Sequence, residues 1–542
     1  MPIMGIMSRL IAMMIKLPPA ETHDIAVEKD LKIPMPDGAI LLANHYYPRL
    51  SGKRPTQLIC SVYSNRTRAS YFSELIAEQG FNAVVVSSRG SFGSTGEYTP
   101  FLSERDDTAG VIAWLKQQEW FNGELCTSGS SYHGYSQWAI ARNAGSILKA
   151  ISTQSAGSNF RDMLYSGDAL CLEVFLFWMH VVDSQHKSLL SILDTMTGNK
   201  RRAKLARHLP LTELDMVLIG HENRFWREWL AHYLPGDKWW APGDNSDAVS
   251  MITAPNHIIS GWYDFFLPLA IRDYNTMKEA GRAPYLTVGP WTHGRASLPE
   301  SREGIIWLRA HMLNKREGLR EAPVRIFVMG IKEWREFPFW PPPGMKLQHW
   351  YLQPGHGLSE ARPEISEPDN YVYNPADPTP SVGGASTGRP VKDNCSLESR
   401  PDILTYTSDI LNSDIELIGP VSAELFIKSS LEHTDFFVKI CDIEPSGKSL
   451  NVCDGLQRLF PGRPSPQPDG TIKAIVEMWP TAYHFKKGHQ IRIQVSSGAF
   501  PRWNRNLGTS ESLATGTAMK VAHQQVFHDH KHPSAVILPF IG

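Results

Sequence analysis

The sequence predicts an α/β chain: a mostly parallel sheet covered by helices, interrupted by a helical insertion and followed by an all-β sandwich. Three observations carry this. Short β-branched runs alternate with helical periodicities from about residue 33 to 155, and again from about 257 to 319. Between them, residues 158–250 are helical in pattern and rich in aromatics (Phe175, Phe177, Trp178, Phe225, Trp226, Trp229, Trp239, Trp240). From Val324 onward apolar residues recur with period two between Pro/Gly turn clusters, as in Val421, Ala423, Leu425, Ile427 and Ile491, Ile493, Val495. The expected parts are 1–157 and 251–320 for the sheet domain, 158–250 for the insertion and 321–542 for the sandwich, with a jelly roll as its topology.

The elements follow in order. Met7, Leu10, Ile11 and Met14 fall at i, i+3, i+4, i+7, which predicts a short amphipathic helix packed on the body or on another subunit and leaves a homo-oligomer open. That segment has no basic start before Arg9, is cut by Lys16 and lacks a small-residue cleavage site before Pro18-Pro19, so it is not read as a signal peptide. It is also shorter than the ~20 apolar residues of a membrane span. Pro34 to Gly38 reads as a hairpin turn, and Leu58 to Val62 as a strand leading into the polar loop Tyr63 to Arg68. A helix follows with Phe72, Leu75, Ile76 and Gln79 on one face, closed by Gly80. Ala83 to Val86 is a strand buried on both faces, Asp107 to Gln118 a helix, and Ala150 to Ser155 another strand.

Leu125 to Gly134 (LCTSGSSYHG) runs from a strand through a glycine-flanked serine into a helix. A serine on so sharp a turn is lifted clear of the sheet, and small flanking residues let helix and strand approach: this is a nucleophile elbow with Ser131 exposed. The spacing departs from G-x-S-x-G, because His133 stands where the second glycine is expected and Gly134 comes one residue later. Ser130 is excluded by the elbow register. Asp264 follows the strand from His257, and His293 follows the strand from Tyr285, both just past strand ends where open α/β sheets place their chemistry. Serine, acid, histidine is the order used by α/β-hydrolases. The developing oxyanion needs donors: the amide of Tyr132, next after the nucleophile, and a second from the loop that begins with Tyr63.

These residues resemble the cocaine-esterase-like (CocE/NonD) hydrolases, a family that also includes X-prolyl dipeptidyl aminopeptidases and α-amino-acid ester hydrolases. Its nucleophile motif G-x-S-Y-x-G fits Gly129 to Gly134, its acid segment G-W-x-D fits Gly261 to Asp264, and its base segment G-P-W-x-H fits Gly289 to His293. The resemblance runs from about Ile33 to the C-terminus. It implies an α/β-hydrolase domain with an inserted helical cap and a C-terminal jelly-roll sandwich, a Ser131–His293–Asp264 triad, and the Tyr63 hydroxyl as oxyanion donor. It also places Leu164, Trp178 and Phe266 on apolar pocket-lining positions of the esterase type, while Asp162, Asp168 and Glu173 leave an amine-binding role open. Ser87 stands where the family has aspartate in Asp-x-Arg-Gly, which puts any ion pair of that aspartate in doubt.

Composition narrows the classes. Lys plus Arg (54) nearly balance Asp plus Glu (55), so no basic field exists to hold nucleic acid. Six scattered cysteines show no metal spacing or disulfide framework and suit a reducing, cytoplasmic setting. His528, His530 and His532 alternate, but they read as a solvated C-terminal strand rather than as metal ligands, and no cofactor is called for. The expected activity is hydrolysis of a small-molecule carboxylic ester, with an apolar or aromatic acyl group, through an acyl-enzyme. Amide or X-prolyl/aminoacyl peptide cleavage, acyl transfer, and a non-catalytic sugar-binding role for the sandwich are the alternatives.

Overall fold

The computed structural model describes residues 2–64, 68–185, 187, 197–294, 297–385 and 390–541. Parts of the predicted loop Tyr63 to Arg68 and of the Pro/Gly-rich excursion Pro363 to Asn394 lie outside them. The chain forms two compact units: Met1–Arg161, Lys238–Gly261 and Phe266–Arg325 in one, Asp162–Asp237, Trp262–Phe265 and Ile326–Gly542 in the other.

The first unit is built on strands β1 (Ile25–Pro34), β2 (Ile40–Pro48), β3 (Arg54–Ser61), β4 (Asn82–Ser87), β5 (Phe121–Ser130) and β6 (Leu148–Gln154), continued by His257–Tyr263 and Tyr285–Thr292. Their order is β1-β2-β4-β3-β5-β6, then those two strands. The β1–β2 hairpin and the β2–β4 pair are antiparallel, whereas β4, β3, β5, β6 and His257–Tyr263 pair in parallel. All six residues of β4 are buried, as a continuous apolar run covered on both faces requires. Helices α1 (Pro2–Met14), α2 (Arg68–Glu78), α3 (Glu104–Leu115) and α4 (Tyr132–Ala144) supply the cover. Gly80, at φ +95°, ends the α2 segment where a side chain would be strained.

The N-terminal helix forms but turns a different face inward. Ile11, Ala12 and Ile15 pack on the core with Leu75, Ile76 and Phe81, and the buried Ser8 hydroxyl donates to Glu78 Oε1 at 3.0 Å. Met7, Leu10 and Met14 are exposed, so of the expected stripe only Ile11 faces the body. A helix apolar almost all round carries two stripes of identical spacing, and here the polar anchor at Ser8 selects one of them.

In the second unit the helices Leu172–Ser184, Asn199–Leu205, Leu214–Ile219 and Arg224–Ala231 group with the β-rich part of the chain. One reason is local: Gly167 lies so close to the strand Ser449–Leu459 that a Cβ would overlap the Leu456 carbonyl, and Arg458 N–H donates to the Gly167 carbonyl at 2.8 Å. The β-rich part centres on Ile415–Ser429, which pairs antiparallel with Ile472–Phe485 and with both Ala522–Phe527 and Ala535–Ile541. Val421, Ala423 and Leu425 point inward and alternate with half-buried Ser422 and Glu424, the period-two pattern of the sequence.

Candidate active site

The elbow is formed as the motif predicts. Ser131 sits between the end of β5 and the start of α4 at φ +62°, ψ −124°, a region a non-glycine residue occupies at a cost of about 1–3 kcal/mol. Its surroundings hold it there. Ser131 N–H donates to the Gln154 carbonyl at 3.0 Å, carrying the β5–β6 ladder onto the turn, and its own carbonyl accepts from Tyr135 N–H at 2.9 Å. Gln137 donates to the Gly129 carbonyl at 3.0 Å and accepts from Thr127 Oγ1 at 2.9 Å, pinning α4 to β5. Tyr135 donates its hydroxyl to the carbonyls of Phe101 (2.7 Å) and Gly243 (3.0 Å).

Both glycines of the motif have a steric reason. A Cβ on Gly129 would lie 2.6 Å from the Cβ of His133, and one on Gly134 would lie 2.6 Å from both Ala156 Cβ and the Gln154 carbonyl. The second glycine therefore comes one residue late because the close approach is made by the residue facing β6, not by the one above Gly129.

His293 follows the strand Tyr285–Thr292, and its Nε2 lies 3.0 Å from Ser131 Oγ. This is hydrogen-bond reach for proton transfer. The backbone before it is crowded enough to need glycine on each of two strands: a Cβ on Gly261, in His257–Tyr263, would come within 2.3 Å of the Trp291 carbonyl, and one on Gly289, in Tyr285–Thr292, within 2.5 Å of the Trp291 ring. Phe266 stands edge-on to the imidazole at 5.3 Å, an apolar wall beside the base. The Tyr63 ring lies edge-on to Tyr132 (6.2 Å) and to His133 (5.4 Å), which sets it against the elbow. Tyr132 opens α4, where the first N–H groups are not used by the helix's own ladder.

The remaining predicted residues lie in the second unit. Asp264 directly follows the strand His257–Tyr263 and is wholly buried. Leu164 is also wholly buried, and Trp178 packs on Phe225 (5.6 Å) and Trp229 (5.7 Å). Ser87 leaves its arginine well served: Arg89 binds Asp107 through Nε and Nη2 and reaches Asp37 with Nη1 at 2.6 Å. The C-terminal histidines depart from the solvated strand expected of them. His528 is buried, with Nε2 3.0 Å from Asp369 and Nδ1 2.9 Å from Ser366 Oγ, while His532 lies between Asp529 and Asp469. Only His530 of the three is exposed. Asp369 and Asp469, both far away in sequence and invisible in the local alternation, hold the other two, with Asp529 also on His532.

Two residues of the site were not singled out for a role by the motifs. His133 Nε2 lies 2.8 Å from Ser61 Oγ, and that hydroxyl in turn meets the Tyr63 backbone. The one local signal was the presence of an imidazole at a glycine position.

Residues 37–295 match the X-Pro dipeptidyl-peptidase (S15) family, and residues 318–537 match the X-Pro dipeptidyl-peptidase C-terminal non-catalytic domain. A cocaine esterase from Rhodococcus sp. is 29% identical over 570 residues, covering 95% of this chain and 99% of that protein. Among solved structures, an α-amino-acid ester hydrolase superposes with a TM-score of 0.79 at 20% identity, covering 95% of this chain and 97% of the other. An aminopeptidase from a marine-sediment Thaumarchaeota archaeon gives 0.78 at 20% identity, covering 96% and 97%. Among the described residues no helix is long and apolar enough to cross a membrane.

Proposed function

The chain belongs to the X-Pro dipeptidyl-peptidase (S15) family of serine hydrolases, among the cocaine-esterase-like CocE/NonD members acting on esters or peptides, and from that premise we propose that it is a carboxylesterase working through an acyl-enzyme. The observation that carries the reading is the strained Ser131 with its Oγ 3.0 Å from His293 Nε2.

A serine hydroxyl must lose its proton as it attacks, so His293 accepts that proton while Oγ bonds to the ester carbonyl carbon. Asp264 orients the imidazole and stabilises its cation; chain order and a wholly buried carboxyl two residues before Phe266, whose ring touches His293, support this choice. The Tyr132 amide and the Tyr63 hydroxyl hold the oxyanion, each donor contributing on the order of 3 kcal/mol to transition-state stabilisation. His293 then returns the proton to the departing alcohol. Water, activated by the same imidazole, releases the acid and restores Ser131. The Phe266 edge beside the base favours an apolar or aromatic acyl group.

Incubation with a serine-directed phosphonate, followed by intact mass, tests the nucleophile: one adduct is expected, absent from Ser131→Ala. An adduct that persists in Ser131→Ala, or none in the wild type, overturns the assignment. Turnover of p-nitrophenyl esters against aminoacyl p-nitroanilides decides between ester and peptide bonds, and faster anilide cleavage would move the reading to a peptidase.

A further inference from the structure

Tyr63 begins a loop, yet its value as an oxyanion donor depends on its hydroxyl being aimed before the reaction starts. A chain of contacts joins it to the elbow.

Ser61, the last residue of β3, accepts the Tyr63 N–H on its Oγ at 3.1 Å and lies 3.2 Å from the Tyr63 carbonyl. That hydroxyl is wholly buried and is met at 2.8 Å by His133 Nε2. Both tautomers of a neutral imidazole satisfy the arrangement. If Nε2 carries the proton it donates to Oγ, and the Ser61 proton goes to the Tyr63 carbonyl; if not, Ser61 donates to Nε2 and still accepts from the Tyr63 N–H. Desolvation keeps the ring neutral, holding its pKa down at about 4. The same imidazole stands edge-on to the Tyr63 ring at 5.4 Å and 81°. His133 thus touches Tyr63 twice, through Ser61 to its backbone and directly on its ring. Its own backbone is the third residue of the turn that carries Ser131, and Gly129 leaves room for its Cβ.

We infer that His133, acting through Ser61, is a positioning residue that locks the Tyr63 hydroxyl to the same turn that aims the nucleophile. The inference rests on the oxyanion role proposed for Tyr63. It accounts for an imidazole where the ordinary elbow has glycine: the position has been turned from a spacer into a strut between nucleophile and oxyanion donor.

A double-mutant cycle on p-nitrophenyl butyrate, with kcat expressed per phosphonate-titrated site, tests it. Tyr63→Phe should lower kcat by about 100-fold or more. His133→Leu should lower kcat by about tenfold with KM within about twofold, since only transition-state contacts are loosened. In the Tyr63→Phe background the same His133→Leu change should cost less than about twofold, because the group it positions is gone. His133→Gln, whose amide can reach Ser61 Oγ, should recover most of the loss, and Ser61→Ala, a small change that keeps the fold, should reproduce part of it. An unchanged kcat in Tyr63→Phe overturns the oxyanion reading and the inference with it. A normal Tyr63→Phe loss with a His133→Leu effect that is absent, or equal in both backgrounds, overturns the inference alone.

Discussion

The distance of α4 from β6 should control catalysis, and Gly134 is where that can be tested. An alanine there would place its Cβ 2.6 Å from Ala156 Cβ and 2.6 Å from the Gln154 carbonyl oxygen. Ordinary contacts between such atoms lie near 3.5 Å or beyond, so the helix must lift by about 1 Å. Neither obstacle is the far end of a flexible side chain, and neither can swing away. Overpacking of this kind costs about 1–3 kcal/mol of stability. The lift also moves Ser131, whose carbonyl accepts from Tyr135 N–H within α4, away from an imidazole 3.0 Å from its Oγ. A misplacement of about 1 Å at reacting groups costs on the order of 100-fold in rate. Gly134→Ala is therefore expected to fold with a lowered Tm and to lose about two orders of magnitude in kcat toward p-nitrophenyl butyrate per titrated site. A variant with a lowered Tm but wild-type kcat would refute the coupling between helix spacing and nucleophile geometry. Wild-type values of both would refute the close packing itself.

Three further outcomes are expected. Asp264→Asn should keep the thermal transition and lower kcat by about 10⁴-fold if Asp264 has the orienting role proposed for it, and a kcat within tenfold of wild type would remove it from the proposed triad. Glu104 is 3% exposed, its Oε2 has no hydrogen-bond partner among the described residues, and burial raises its pKa to about 8. The folded state therefore keeps a proton that the unfolded chain releases near pH 4.5, so the stabilising contribution is whole below that pH and is lost as pH rises to about 8. Glu104→Gln should leave Tm near pH 4 almost unchanged and raise stability at pH 9 by on the order of a few kcal/mol; thermal melts showing no gain at pH 9 would count against it. In the second unit Arg458 grips Asp435 with Nε–Oδ1 at 2.9 Å and Nη2–Oδ2 at 2.8 Å, both residues being buried. Asp435→Ala strands that guanidinium and should destabilise by about 3–5 kcal/mol in urea titration, whereas a loss below about 1 kcal/mol would show that solvent reaches the site.

The parallel core and the paired Ser131 and His293 were legible in the sequence because each is written locally. A strand covered on both faces, such as β4, is an unbroken apolar run, and a residue one step past a strand end needs no partner to be placed. Long-range choices were not legible. The side of α1 that packs depends on Glu78, seventy residues away, receiving the Ser8 hydroxyl. Arg89 finds Asp107 and Asp37 in place of an acid at position 87, and no local pattern names those partners. His528 is buried because Asp369 and Ser366 come to it, an arrangement that alternation along one strand leaves undetermined.

The elbow shows why motif spacing and motif function can come apart. A backbone at φ +62° is unfavourable for serine on its own, so the surrounding hydrogen bonds and packing must over-determine it. The Gln154 carbonyl, Tyr135 N–H and the Gln137 bridge from Gly129 to Thr127 supply that constraint. None of them requires glycine two residues after the nucleophile; within the motif the steric demand from the end of β6 falls on Gly134. The intervening position is then free to carry a side chain, provided it points over Gly129 rather than into β6. An imidazole placed there reaches β3 across the gap, which glycine could not, and the tolerance of the turn becomes a means of holding Tyr63.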